Sequence, residues 1–221
     1  MNQLARAELL AAVADALRGT PRTEALTGTD EELEHAADPS VLAALFKREL
    51  EAVDGRAELV ATLEELPAAI REYAGRVGLQ TFLVGVSDLA RLASSLLDGA
   101  RPADAGIEAR DVEAVDCALI EADALLADTG SALVLARTRG ERLLPYLPRA
   151  CIVVARGSAL HATLTSAALR VAFAAARSGV TGEAVMVTGP SRTADIEKTM
   201  VLGAHGPRTV MVFIVGACSP A

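Results

Sequence analysis

Three cysteines, Cys117, Cys151 and Cys218, are spread through a chain of 221 residues, far apart and odd in number. That spacing excludes a disulfide framework and any Cys-x-x-Cys redox or metal pair. It also excludes an iron–sulfur cluster held by this chain alone, because such clusters want four thiolates. All three cysteines read as buried apolar residues. Histidine is equally scarce, and His35, His161 and His205 are too dispersed for a metal site; His35 and His161 read as surface residues. Lysine occurs only at Lys47 and Lys198, and the basic residues, nearly all arginine, are scattered against a net charge of −8. A nucleic-acid surface needs a concentrated positive field, so that class is excluded. No run reaches the ~18 uninterrupted apolar residues of a membrane span. No basic leader precedes the first apolar run, and Glu8 and Asp15 interrupt it, so the expectation is a cytoplasmic protein without a signal peptide. The Gly-x-Gly-x-x-Gly and P-loop spacings are both missing, which leaves nicotinamide and Walker-type nucleotide binding unsupported.

What is present is aliphatic material. With 52% hydrophobic residues, the chain has enough apolar mass for one large core plus an appendage. Gln3 to Leu17 reads as an amphipathic helix with Leu10, Val13 and Leu17 on one face, and Gly19 to Asp30 as a linker. Residues 1–37 are therefore expected to form a helical extension and linker, and 38–221 a single α/β domain. Asp38-Pro39, a cap followed by proline, predicts a helix through about Val53. Strands are then expected near Leu59–Ala61, Thr81–Val86 and Ala150–Val154. They alternate with helices near Leu63–Ala74, Asp88–Leu97 and, at length, Ala159–Arg177. Asp128-Thr129-Gly130 reads as a hairpin turn. This alternation argues for a parallel-rich sheet covered by helices on both faces.

Most of the polar chemistry gathers near the C-terminus, from Thr188-Gly189-Pro190-Ser191-Arg192-Thr193-Ala194-Asp195-Ile196-Glu197-Lys198 to Gly203-Ala204-His205-Gly206-Pro207. Ala184–Val187 reads as a strand leading into the Gly-Pro break, and Thr209–Val215 as a buried strand. Between them, Thr193 is expected to cap a helix starting near Ala194, with Ile196, Met200 and Gly203 on one stripe. A helix N-terminus behind a Gly/Ser/Thr loop is a natural anion site, and Arg192 could clamp a carboxylate or phosphate. The competing reading is that Asp195 and Glu197 satisfy that helix end themselves.

These same residues resemble a known family. Gly189 to Glu197, Val201-Leu202-Gly203 and His205-Gly206-Pro207 are similar to the signature of the LUD-domain family, in its lactate utilization protein C (LutC) branch. Asp128-Thr129-Gly130-Ser131 and Ala132 to Leu135 resemble the family's Thr-Gly-Thr hairpin, with Ser131 where threonine is commoner. Leu144-Pro145 and Cys151 to Val154 agree with its next segment, and Phe46 to Leu50 with its N-terminal part. The resemblance implies the fold of CoA transferases and sugar-phosphate isomerases. It further implies a component of L-lactate oxidation to pyruvate, working with iron–sulfur partner proteins and binding no cofactor alone.

In α/β sheets ligands bind beyond the carboxyl ends of strands. The expectation is that the 128–131 turn and the 189–193 loop converge into one pocket for a small anion. Thr129, Gly130, Ser131, Gly189, Ser191, Arg192, Thr193 and Glu197 would bind it, and His205 or Asp195 would manage a proton. Two alternatives stand beside the lactate reading. One is a free-standing sugar-phosphate isomerase or acyl-CoA-type enzyme, the other a non-catalytic scaffold or regulatory subunit.

Overall fold

Asp38 starts the first described helix through its side chain: Oδ1 accepts from the Ser40 amide at 2.8 Å. Pro39 follows at a position where no amide is needed. The resulting helix, α1 (Pro39–Ala52), buries Ala43, Phe46 and Leu50 along one stripe. The computed structural model describes residues 38–103, 106–167, 183–194, 200–202 and 206–217, with backbone alone for 193, 194 and 200–202. The expected helix and linker over 1–37, with His35, lie outside the described residues.

After α1 the chain alternates as β1 (Arg56–Val60), α2 (Leu66–Val77), β2 (Phe82–Val84), α3 (Asp88–Ala93), β3 (Ala100–Pro102), α4 (Ala109–Glu113) and β4 (Cys117–Glu121). With β7 (Ala150–Arg156) and β12 (Thr209–Val215) these strands form a six-stranded, wholly parallel sheet ordered β1-β12-β7-β4-β2-β3. The central strands are near-continuous apolar runs because both of their faces are covered. Leu66 and Ile70 of α2 and Leu89 of α3 pack on one face against Phe82, Leu119, Ile152 and Phe213.

The other face meets α1 and a second sheet, ordered β8-β5-β6-β9. Its strands are β5 (Ala124–Leu126), β6 (Ser131–Leu135), β8 (Leu160–His161) and β9 (Ala184–Val187). The expected hairpin at Asp128-Thr129-Gly130 is the antiparallel β5–β6 pair. The helix expected from Ala159 begins later. Gly157–Ala159 is a short 3-10 turn, Leu160–His161 pairs with β5, and helix starts only at 164. Pairing with β5 outweighs helical periodicity there, and His161 is a half-buried strand residue rather than a surface one.

The amino ends of the parallel strands are closed by internal pairs. Asp116 accepts from the amides of Gln80 and Thr81, both at 2.9 Å, and meets Arg149 at 2.7 Å. Burial opposes ionisation of this carboxyl. The two amides, the Thr81 hydroxyl and the Arg149 guanidinium together still hold it below the ordinary carboxylate range.

Cys117 and Cys151 lie buried in β4 and β7, as the sequence suggested, while Cys218 falls outside the described residues. Burial pushes the Cys117 thiol well above its usual range and the Cys151 thiol up to about 12. Since the thiolate is the nucleophile, both are expected to resist an aromatic disulfide reagent in the native protein and to label on denaturation. Peptide mass mapping checks this; rapid native labelling of either would contradict the burial.

Candidate functional site

Register sets the first contact of the candidate site. β6 and β9 run antiparallel with Ala132 opposite Val187, so Ser131 and Thr188 are neighbours just beyond the pair. Their hydroxyl oxygens lie 2.7 Å apart. Ser131, at the end of the expected turn, and Thr188, just before the expected 189–193 loop, therefore meet at one end of the second sheet. Ser131 is buried there, whereas Asp128, Thr129 and Thr188 are exposed.

Both loops rest on the end of α1, and each needs a glycine for it. Gly130 has φ 62°, and a Cβ there would lie 2.7 Å from the Leu50 Cα. Gly189 has φ 81°, and its Cβ would meet the Val53 carbonyl oxygen at 2.8 Å. Only glycine takes the left-handed backbone and the close approach together.

Arg192 leaves this junction toward α1, where its Nη2 meets Asp54 Oδ2 at 2.5 Å. Asp54 itself holds φ 63° at the turn from α1 into β1, a left-handed conformation that aspartate tolerates better than most residues. The Ser191 amide donates to the Pro207 carbonyl at 2.8 Å, which draws in the Gly206-Pro207 turn. A groove of about 250 Å³ runs beside the loop, lined among others by Tyr146, Met186, Thr188, Ser191 and Pro207.

The segment that follows corrects the sequence expectation. Instead of a helix from Ala194, β10 (Arg192–Ala194) pairs antiparallel with β11 (Met200–Leu202), Thr193 opposite Val201. Ser191 is tied to Pro207 and Arg192 to Asp54, so the chain leaves the loop extended and continues as a strand. The local spacing that argued for a helix from Ala194 does not override that tertiary constraint. With Arg192–Ala194 in a strand, no helix N-terminus sits at Thr193 or Ala194. What the loop retains for an anion is hydroxyls and a guanidinium. Asp195, Glu197 and His205 lie outside the described residues, and Thr193 is placed by its backbone alone.

A second polar cluster, which sequence reasoning missed, sits at the carboxyl ends of β2 and β4. Glu141, 7% exposed, accepts from the Val86 amide through Oε1 and the Arg137 amide through Oε2, both at 2.8 Å. Gly85 leaves room for it: a Cβ there would come within 3.0 Å of Glu141 Oε1. Asp123 accepts from the Leu135 amide at 2.9 Å and from Arg137 Nη2 at 2.6 Å. In the sequence Arg137 to Arg142 looks like a solvated charge run. Only the Val-Gly-Val break after β2, where a ligand or loop approaches, hinted at it. Asp54 was missed too, its only signal being an Asp-Gly turn after a helix.

Among the described residues no helix is long and apolar enough to cross a membrane. The fold is similar to that of a DUF162-family protein from Deinococcus radiodurans, with a TM-score of 0.59 at 19% identity, covering 81% of this chain and 99% of that one. In sequence, the chain is 28% identical over 120 residues to lactate utilization protein C of Geobacillus kaustophilus, matching 54% of this chain and 45% of that protein. It is 30% identical over 129 residues to lactate utilization protein C of Shouchella clausii, matching 58% of this chain and 55% of that protein. The chain thus spans about half the length of the curated relatives it matches. The LUD-domain model itself matches residues 43–215, from the first buried face of α1 to the last residue of β12, and the chain belongs to the LUD-domain family.

Proposed function

We propose that the chain is a component of an L-lactate utilization system that oxidises L-lactate to pyruvate with iron–sulfur partner proteins in the cytoplasm. The observation behind this reading is the shared name of its curated relatives, lactate utilization protein C, together with the LUD-domain match. Lactate gives up two electrons and two protons on becoming pyruvate. The electrons are assigned to clusters in the partners, because three cysteines fall short of the four thiolates a cluster takes.

The chain's own part in this reading is to hold a small carboxylate or phosphate where the 128–131 turn meets the 188–192 loop. Arg192 is the principal donor, and its Nη2 already holds one carboxylate, that of Asp54. A bound anion therefore competes with Asp54. Thr129, Ser191 and Thr193 offer hydroxyls, Ser131 steadies the junction through its contact with Thr188, and Gly130 and Gly189 let the loops close on α1. Glu197 completes the ligand set, and a proton, where one is moved, goes to Asp195 or His205.

Deletion of the gene is expected to abolish growth on L-lactate but not on glucose, with rescue by the wild-type chain. Binding of L-lactate, pyruvate and inorganic phosphate is measured by calorimetry on the purified chain. Arg192→Ala is expected to weaken the anion that binds by about 10- to 100-fold, the usual worth of a charge-assisted hydrogen bond. Asp54→Asn, which removes the competitor, is expected to tighten it. Undiminished lactate oxidation in the deletion strain would refute the role. Rescue by a folded Arg192→Ala chain would refute the site and leave a scaffold.

A further inference from the structure

The two edges of the parallel sheet are finished differently. β3 is three residues long, ends in Pro102, and its Arg101 donates to the Asp111 carbonyl of α4, so that edge is blunted. β1, at the other edge, is five residues long and carries neither proline nor a bulge. The Val60 carbonyl accepts from the Gly216 amide, which turns Val60, and by alternation Glu58 and Arg56, toward β12. Ala57 and Leu59 consequently aim their amides and carbonyls outward. Among the described residues no strand pairs with that side of β1.

Arg56, Ala57 and Glu58 of that edge line a cleft of about 560 Å³, together with residues from the ends of α1 and α2. Its charged lining is balanced: Lys47, Arg56 and Arg76 against Glu51, Asp54 and Glu58. This neutrality is local, since the whole chain carries −8. Edge strands are commonly blunted by charged side chains, lysine above all. β1 instead alternates Arg56 and Glu58 about Ala57, a pattern complementary to itself when reversed.

We propose that this edge is a docking surface for a second copy of the chain, β1 pairing antiparallel with β1 of the other copy about a twofold axis at Ala57. In that register Ala57 exchanges both backbone hydrogen bonds with its counterpart. Arg56 of each copy then lies opposite Glu58 of the other, in the closely spaced, non-hydrogen-bonded positions where side chains interact most strongly. Shifting the register to centre on Glu58 would set two carboxylates face to face, so the charges fix the alignment as well as the partner. The two six-stranded sheets join into one, and the interface is isologous, as twofold contacts require.

Sedimentation of the full-length chain is expected to show a dimer at micromolar concentration. Glu58→Arg alone, or Arg56→Glu alone, sets like charges together twice and should weaken the dimer about 10-fold or more. An equimolar mixture of these two self-repelling variants should form a heterodimer, because both cross-strand pairs become attractive again. The chain with both substitutions should dimerise like the wild type. Ala57→Pro removes the outward amide and should leave a monomer, with thermal melting as the check that each variant is folded. A wild-type chain that stays monomeric overturns the proposal, as does a dimer indifferent to the single charge reversals.

Discussion

Gly130→Val is expected to destabilise the protein by about 2–6 kcal/mol, combining backbone strain of about 1–3 kcal/mol with overpacking of similar size. The position allows no relief. A β-branched residue at φ 62° is a steric outlier, and the added Cβ would sit 2.7 Å from both the Glu49 carbonyl carbon and the Leu50 Cα. Those are backbone atoms of α1, whose Leu50 and Phe46 are anchored in the core. For a chain of this size the melting midpoint should fall by roughly 4–24 °C. Gly75, in α2, is the control: nothing lies within 4 Å of a Cβ there, and Gly75→Ala should stabilise by about 0.5–1 kcal/mol. Circular-dichroism melts decide it. Equal melts for the two variants would mean that the 128–131 turn does not rest on α1 as described.

The parts legible from sequence were those whose causes are local. The Asp38-Pro39 start of α1 needs only an aspartate, a proline and the Ser40 amide two residues on. The apolar runs of β7 and β12 follow from burial on both faces, and the Asp128-Thr129-Gly130 turn from its own backbone preferences. Longer-range causes stayed hidden. Nothing near Arg192 in the chain points to Asp54, which is 138 residues away. That contact and the Ser191–Pro207 hydrogen bond set the path of β10, where local periodicity argued for a helix. That both polar loops follow apolar runs, now β5 and β9, was legible from residue types. The Ser131–Thr188 contact that joins them depends on the β6–β9 register, which residue types alone do not specify.

Glu141→Ala is expected to lower stability by about 2–6 kcal/mol without touching the 188–192 loop. The alanine leaves the Val86 and Arg137 amides without the acceptor each now has at 2.8 Å, and each stranded, partly buried donor costs about 1–3 kcal/mol. Glu141→Gln should fall between the two, since one oxygen still accepts while its amino group faces a donor. The loss should be shared with Asp123, because Arg137 gives its amide to Glu141 and its guanidinium to Asp123. Once Glu141 is gone and Arg137 is loosened, removing Asp123 should cost less than it does alone, with a coupling of about 0.5–3 kcal/mol in a double-mutant cycle. Hydrogen exchange at Val86 and Arg137 should accelerate together in Glu141→Ala, because one carboxylate protects both amides. Strictly additive losses, or exchange that speeds at only one of the two amides, would mean that Glu141 and Asp123 act separately. In that case the crossing from β6 to the 141–143 turn would be held over the end of β2 by packing rather than by this carboxylate pair.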